Sequence, residues 1–172
     1  MGRGGQDGGD QGGIDLSVSC LRALALCLLL LPSPAALAID PGRALGELRI
    51  RDQRIPLTHA YALLHEAELR VVVADREIPQ SALAGRVELP VEALAKAGEV
   101  RGLLVRADPR NRARSSVTVL DAGALPFAPI DAPGVLRKLG FANNRALGLI
   151  EGRVPRETEY RVEFSAPLFH ER

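Results

Sequence analysis

Leu69-Arg70-Val71-Val72-Val73-Ala74 is a short apolar run with one charge, flanked by Glu66-Ala67-Glu68 and by Asp75-Arg76-Glu77-Ile78-Pro79. Its core is β-branched, and valine loses little rotamer freedom on a pleated surface while crowding a helix. A run of this length without strict alternation predicts a strand buried on both faces, the centre of a sheet.

The neighbouring segments carry the weaker strand signatures that such a centre needs. Leu45-Gly46-Glu47-Leu48-Arg49-Ile50-Arg51 alternates apolar with charged residues, the period of a half-buried strand. Asp52-Gln53 reads as a hairpin turn, and residues 54–65 as a longer strand whose start Pro56 restricts to an edge or a bulge. Residues 81–85 read as one turn of helix capped by Ser81. The clearest helix covers about 90–97, with Pro90 in its first turn and Gly98 just past its end. Residues 100–107 and 115–120 form a hairpin around Asp108-Pro109-Arg110-Asn111, a turn by its residue chemistry. Residues 121–134 hold Pro126, Pro129 and Pro133 and read as an extended, irregular crossing. Residues 135–141 give no decisive pattern, whereas 145–154 and 159–165 close the chain as a hairpin around Pro155-Arg156-Glu157. About seven strands at turn spacings of about 8–12 residues, with one short helix, predict a mainly β fold, an antiparallel β-sandwich. Helices long enough for parallel crossovers are missing from the pattern.

Ahead of this domain the chain has a different character. Residues 1–19 are rich in Gly, Asp and Gln and cannot bury enough apolar surface to order, so they read as a disordered leader. Arg22 then precedes the unbroken apolar run 23–31, Pro32 and Pro34 end it, and Ala36-Leu37-Ala38 offers small residues where a signal peptidase reads. Residues 20–38 are therefore expected to be a signal peptide cleaved before Ile39. The run is shorter than the roughly 20 residues a spanning helix needs, so no stable membrane insertion is expected after cleavage. The hydrophilic leader suggests a translation start near Leu16 or Val18.

Cleavage would leave 134 of the 172 residues as a single β-rich domain, 39–172. Both cysteines, Cys20 and Cys27, would be lost, leaving a thiol-free domain in a periplasmic or secreted location. The chain has 22 Lys+Arg and 21 Asp+Glu; without Arg3, Arg22, Asp7, Asp10 and Asp15 it keeps 20 and 18. This near-balance and the absence of tryptophan argue against a nucleic-acid partner.

Thr58-His59-Ala60-Tyr61-Ala62 and Asp75-Arg76-Glu77-Ile78-Pro79, with Phe164-Ser165-Ala166-Pro167 near the end, resemble a domain of uncharacterised exported bacterial proteins. The resemblance covers most of residues 39–172 and implies export and a β-rich fold. It implies no activity.

The candidate ligand-binding residues are His59, Tyr61, Asp75, Arg110 and Arg112. His59, Tyr61 and His65 share strand parity, but His59 and His65 stand roughly 20 Å apart along an extended strand, so one metal cannot take both. No metal and no cofactor is expected. Asp75 can either pair with His59 for proton transfer or cap the chain's exit by accepting amide protons, and the capping role is favoured. None of Ser81, Ser115 and Ser116 lies in a nucleophile elbow, so no catalytic residue is assigned. Arg110, Arg112 and Arg114 cluster at a hairpin tip, where they either grip an anion or keep a turn soluble. Leu125-Pro126-Phe127-Ala128-Pro129-Ile130 is a docking strip or a strap over an open end of the fold. The expected function is an exported, non-enzymatic binding or accessory module for an envelope protein or a small ligand. The alternative is a small hydrolase or metal-dependent enzyme centred on His59 and Asp75.

Overall fold

The computed structural model describes residues 42–83, 88–124, 126–155 and 157–170. The expected leader and signal peptide lie outside the described residues. Nine strands follow one another: β1 (Arg43–Ile50), β2 (Gln53–His65), β3 (Glu68–Ala74), β4 (Gly102–Ala107), β5 (Ser115–Leu120), β6 (Ile130–Asp131), β7 (Leu136–Ala142), β8 (Arg145–Val154) and β9 (Thr158–His170). One helix, α1 (Glu88–Lys96), and two short 3-10 turns at Gln80–Leu83 and Ala122–Ala124 complete the domain. The fold is mainly β with one short helix, as the strand spacing predicts. The helix begins two residues before Pro90 and ends at Lys96, two residues before Gly98, which takes φ 73 just past its end.

All strands join one sheet in the order β6-β5-β4-β3-β2-β1-β9-β8-β7, with antiparallel neighbours throughout. Beyond the start of β1, β2 and β9 meet directly and in parallel, Ala62 opposite Leu168 and Leu63 opposite Phe169. The outermost strands β6 and β7 are joined by only four residues, 132–135, which span at most roughly 17 Å. The sheet therefore curls, and its inner face forms one core. Leu48, Leu57, Val71, Val73, Leu103, Val105, Val117, Ile150, Val162 and Phe164 all belong to it.

The valine run occupies the place its composition demands. Val71 and Val73 enter the inner core, while Val72 and Ala74 point outward beneath α1 and pack with Leu104, Leu120, Val91 and Ala95. β4 does the same with Leu103 and Val105 inside and Leu104 outside. In β2 the inward parity changes from Ile55 and Leu57 to Ala60 and Ala62, so the strand kinks at the half-buried Thr58 and His59.

Between β8 and β9 the inner face is filled by a small-to-large match. Gly148 lies opposite Phe164 and Gly152 opposite Tyr160, so each ring covers the space a side chain would take. A Cβ on Gly148 would stand 2.7 Å from two ring carbons of Phe164. The β7–β8 hairpin turns on Asn143 and Asn144, both with positive φ (50 and 56), the backbone of a type I′ turn. No helix among the described residues is long and apolar enough to cross a membrane.

Tyr160 is 4% exposed, and its hydroxyl has no hydrogen-bond partner. Burial pushes its ionisation up to about 12, from 10. The unfolded chain thus releases this proton first on alkalinisation, and the stabilisation is lost as pH rises from about 10 to about 12. Tyr160→Phe should be neutral or stabilising by about 1 kcal/mol at neutral pH, because it removes an unpaired polar atom. It should also flatten the alkaline fall in melting temperature, as melts across that pH range would show.

Candidate functional site

The kink in β2 decides where His59 points its chemistry. Thr58 Oγ1 donates its proton to the Asp75 carbonyl (3.1 Å), so it can only accept from His59 Nδ1 (2.9 Å). The neutral imidazole therefore carries its proton on Nδ1 and keeps the Nε2 lone pair. In the sheet, His59 is opposite Ala74, one residue before Asp75. The Asp75 carboxylate is engaged elsewhere: Oδ1 accepts the Arg101 amide (2.8 Å), and Oδ2 lies 3.4 Å from the Arg76 guanidinium. His59 and Asp75 are thus brought together through Thr58 and a carbonyl, while the carboxylate caps the start of the next strand. Asp75→Ala should cost about 1–2 kcal/mol by leaving the Arg101 amide without its acceptor. A denaturant titration reads this directly.

Tyr61 follows on the outer face of β2. Its hydroxyl accepts the Ile78 amide (3.0 Å) and so pins the segment that leaves β3. Burial, the largest cause, raises its pKa above the usual tyrosine value; the Ile78 amide opposes this and the Glu77 charge adds to it. It acts as a tether for the chain between β3 and α1.

Arg110 and Arg112 sit exposed on the loop joining β4 to β5. Their backbone fixes the loop: the Arg110 amide donates to Asp108 Oδ1 (2.8 Å), and the Arg112 carbonyl accepts from Ser115 Oγ (3.2 Å) and from the Gly134 amide (3.3 Å). The third arginine of the cluster, Arg114, lines an open cleft of about 990 Å³ at this end of the sheet. The cleft floor is a row across three strands, Arg70 opposite Arg106 and Arg106 opposite Ser116, with Asp131 beyond. Two arginines side by side repel, and Glu68 offsets this with an Oε1 contact of 2.7 Å to Arg70 Nε. His65, Glu66, Asp108 and Asp131 complete a lining in which acids and bases balance. Arg70 and Arg106 had a visible signal, a lone arginine inside an otherwise apolar strand.

The opposite end of the curled sheet holds a more enclosed and more apolar cavity of about 620 Å³. It lies between the β1–β2 turn, the β8–β9 turn and the Pro-rich crossing. Ile50, Val119, Ala124, Pro126, Ile130 and Val154 give it apolar walls. The crossing thus serves both ends, lining this cavity with Pro126 and Ala128 and the polar cleft with Pro129 and Pro133. Asp121 at the cavity edge is held by the Gly123 amide (3.0 Å) and by Arg101 Nε (3.3 Å). Thr158 lines the cavity from β9 and is 4% exposed.

Among the described residues no group of three or more His, Cys, Asp or Glu side chains is placed to hold a metal ion. No family model matches the chain, and no curated protein or solved structure matches it.

Proposed function

We propose that the protein is an exported, non-enzymatic binding module that holds a small ligand in the cavity beneath the Pro-rich crossing. The cavity carries this reading. Its volume of about 620 Å³ falls in the range of small-molecule sites, about 300–1,000 Å³. Apolar walls with a few polar groups, at the open end of a curled sheet, are the usual make-up of such sites. Export is supported by Arg22, the apolar run 23–31 and the Ala36-Leu37-Ala38 box.

A melting assay with apolar fractions of an envelope extract tests the binding. A fraction that raises the melting temperature of the protein should have no effect on Ala128→Trp, whose indole would fill the cavity from an exposed position on the crossing. Equal shifts in both proteins would place binding elsewhere. N-terminal sequencing of the protein from its host should give Ile39 as the first residue; an intact leader would overturn export.

The free Nε2 of His59 supports the second reading, a hydrolase or metal-dependent enzyme built on His59 and Asp75. That reading requires His59→Ala to remove an activity or a metal-induced stabilisation while the fold persists.

A further inference from the structure

We infer that the β7–β8 hairpin is a docking surface for an anionic lipid membrane, drawn in by cations at its base and seated by Phe141 and Leu147 beside its turn. The inference stands apart from the cavity reading: residues 136–147, which form this surface, line neither the cavity nor the polar cleft.

The first observation is charge without counter-charge. Residues 132–150 contain Arg137, Lys138 and Arg145 and no Asp or Glu. The β4–β5 loop adds the exposed Arg110 and Arg112, because the Gly134 amide, just ahead of β7, donates to the Arg112 carbonyl (3.3 Å). The Arg137 guanidinium lies over the same glycine, 3.8 Å from where a side chain there would begin. None of these cations forms an ion pair with a described acid. Asp108 and Asp131 line the polar cleft instead, and Glu151, the next acid along β8, is held by Arg161 (2.8 Å).

The second observation is apolar exposure at the same place. Phe141 is 50% exposed and Leu147 38%, two of the four large apolar side chains that stand exposed among the described residues. Each faces a small residue across the hairpin, Phe141 opposite Ala146 and Leu147 opposite Gly140. Successive side chains of a strand leave opposite faces, so the two straddle the ribbon rather than share one groove. A fluid lipid surface accommodates both, whereas a peptide would need a concave wall, and β7 is the outermost strand of the sheet. The turn is already fixed: the Asn144 carbonyl accepts the Leu168 amide (3.0 Å), and the Asn144 side chain donates to the Leu168 carbonyl (3.4 Å). Docking therefore orders little new chain. Exposed apolar groups flanked by Lys and Arg suit the headgroup boundary of an anionic bilayer.

The chain has no tryptophan, so Phe141→Trp places a single fluorophore on the surface, and Leu89→Trp places one at an exposed position of α1 as a control. Vesicles containing phosphatidylglycerol should shift the emission of Phe141→Trp to the blue, and added salt should weaken the effect. Vesicles of phosphatidylcholine alone should not shift it, and Leu89→Trp should respond to neither. Arg137→Gln and Lys138→Gln, added singly to Phe141→Trp, should each weaken vesicle binding about fivefold. Both side chains are exposed, so these variants should melt with the parent. Co-sedimentation of Phe141→Ser against the parent, expected to fall at least about fivefold, gives a second readout that needs no fluorophore. Any affinity of the apolar run 23–31 for lipid is common to all variants and cancels in the comparison. No shift with anionic vesicles, an equal shift with phosphatidylcholine or in Leu89→Trp, or binding unmoved by the glutamine variants overturns the inference. A shift of the same size with hexaglutamate assigns the surface to an acidic peptide and overturns it too.

Discussion

Gly102→Ala should abolish folding at physiological temperature. Gly102 opens β4 between Ala74 of β3 and Leu120 of β5, in the middle of the sheet. A Cβ at this position would overlap the Val73 carbonyl oxygen and come within 3.0 Å of the Ala74 Cα. Both obstacles are backbone, so no side chain can swing aside. Relief requires β3 and β4 to separate where each also supports the helix-covered outer core through Ala74 and Leu104. We expect a loss of at least about 4 kcal/mol, a large share of the about 5–15 kcal/mol typical of a domain. Circular dichroism should show no cooperative melt, and expression should yield mainly insoluble protein. A soluble variant with a melting point near the parent's would mean that β3 and β4 can part here at little cost.

Phe164→Ala should be the most damaging side-chain truncation. Phe164 is 1% exposed and the largest of the fully buried side chains. Removing a buried phenyl ring costs about 3–5 kcal/mol, and the space above Gly148 leaves nothing nearby to refill the cavity. The same contact makes a second test. Gly148→Ala should be costly in the parent, because the new methyl meets the ring at 2.7 Å and the Lys138 carbonyl at 2.5 Å. Combined with Phe164→Leu, part of that cost should disappear, giving a coupling of about 1 kcal/mol or more in a double-mutant cycle. Strict additivity would show that the ring and the glycine do not share the space.

The fold was legible where burial on two faces or a terminal signal left a local trace. Val71-Val72-Val73 marked the sheet centre because both inner and outer cores need apolar groups there. Pro90 and Gly98 bracketed the helix by backbone chemistry. β7 was not legible, because its register slips between Leu136 and Lys138 and most of it is exposed at the edge, which breaks any alternation. β6 escaped because two paired residues inside a Pro-rich crossing leave no period to read. The last strand also proved longer, running on through Pro167 to His170 where it meets β2. Of the candidate site, the strap over an open end was readable in the prolines of 126–133. The cavity it covers was not, since its walls come from turns near residues 50, 120 and 155 that only the curl of the sheet brings together.

The place of β1 in the sheet has a consequence for how the chain comes to be folded at all. Its two neighbours are β2, which leaves the ribosome immediately after it, and β9, the last of the described strands to leave. A nascent chain can build the ladder from β1 to β5 as it emerges, but one flank of β1 stays bare until the final strand arrives. Contacts this distant in sequence form slowly, because the intervening loop must close first. Under the export reading, such a late seam keeps the chain open while it is threaded through a membrane channel. On that reading the closing stitch would be made on the far side.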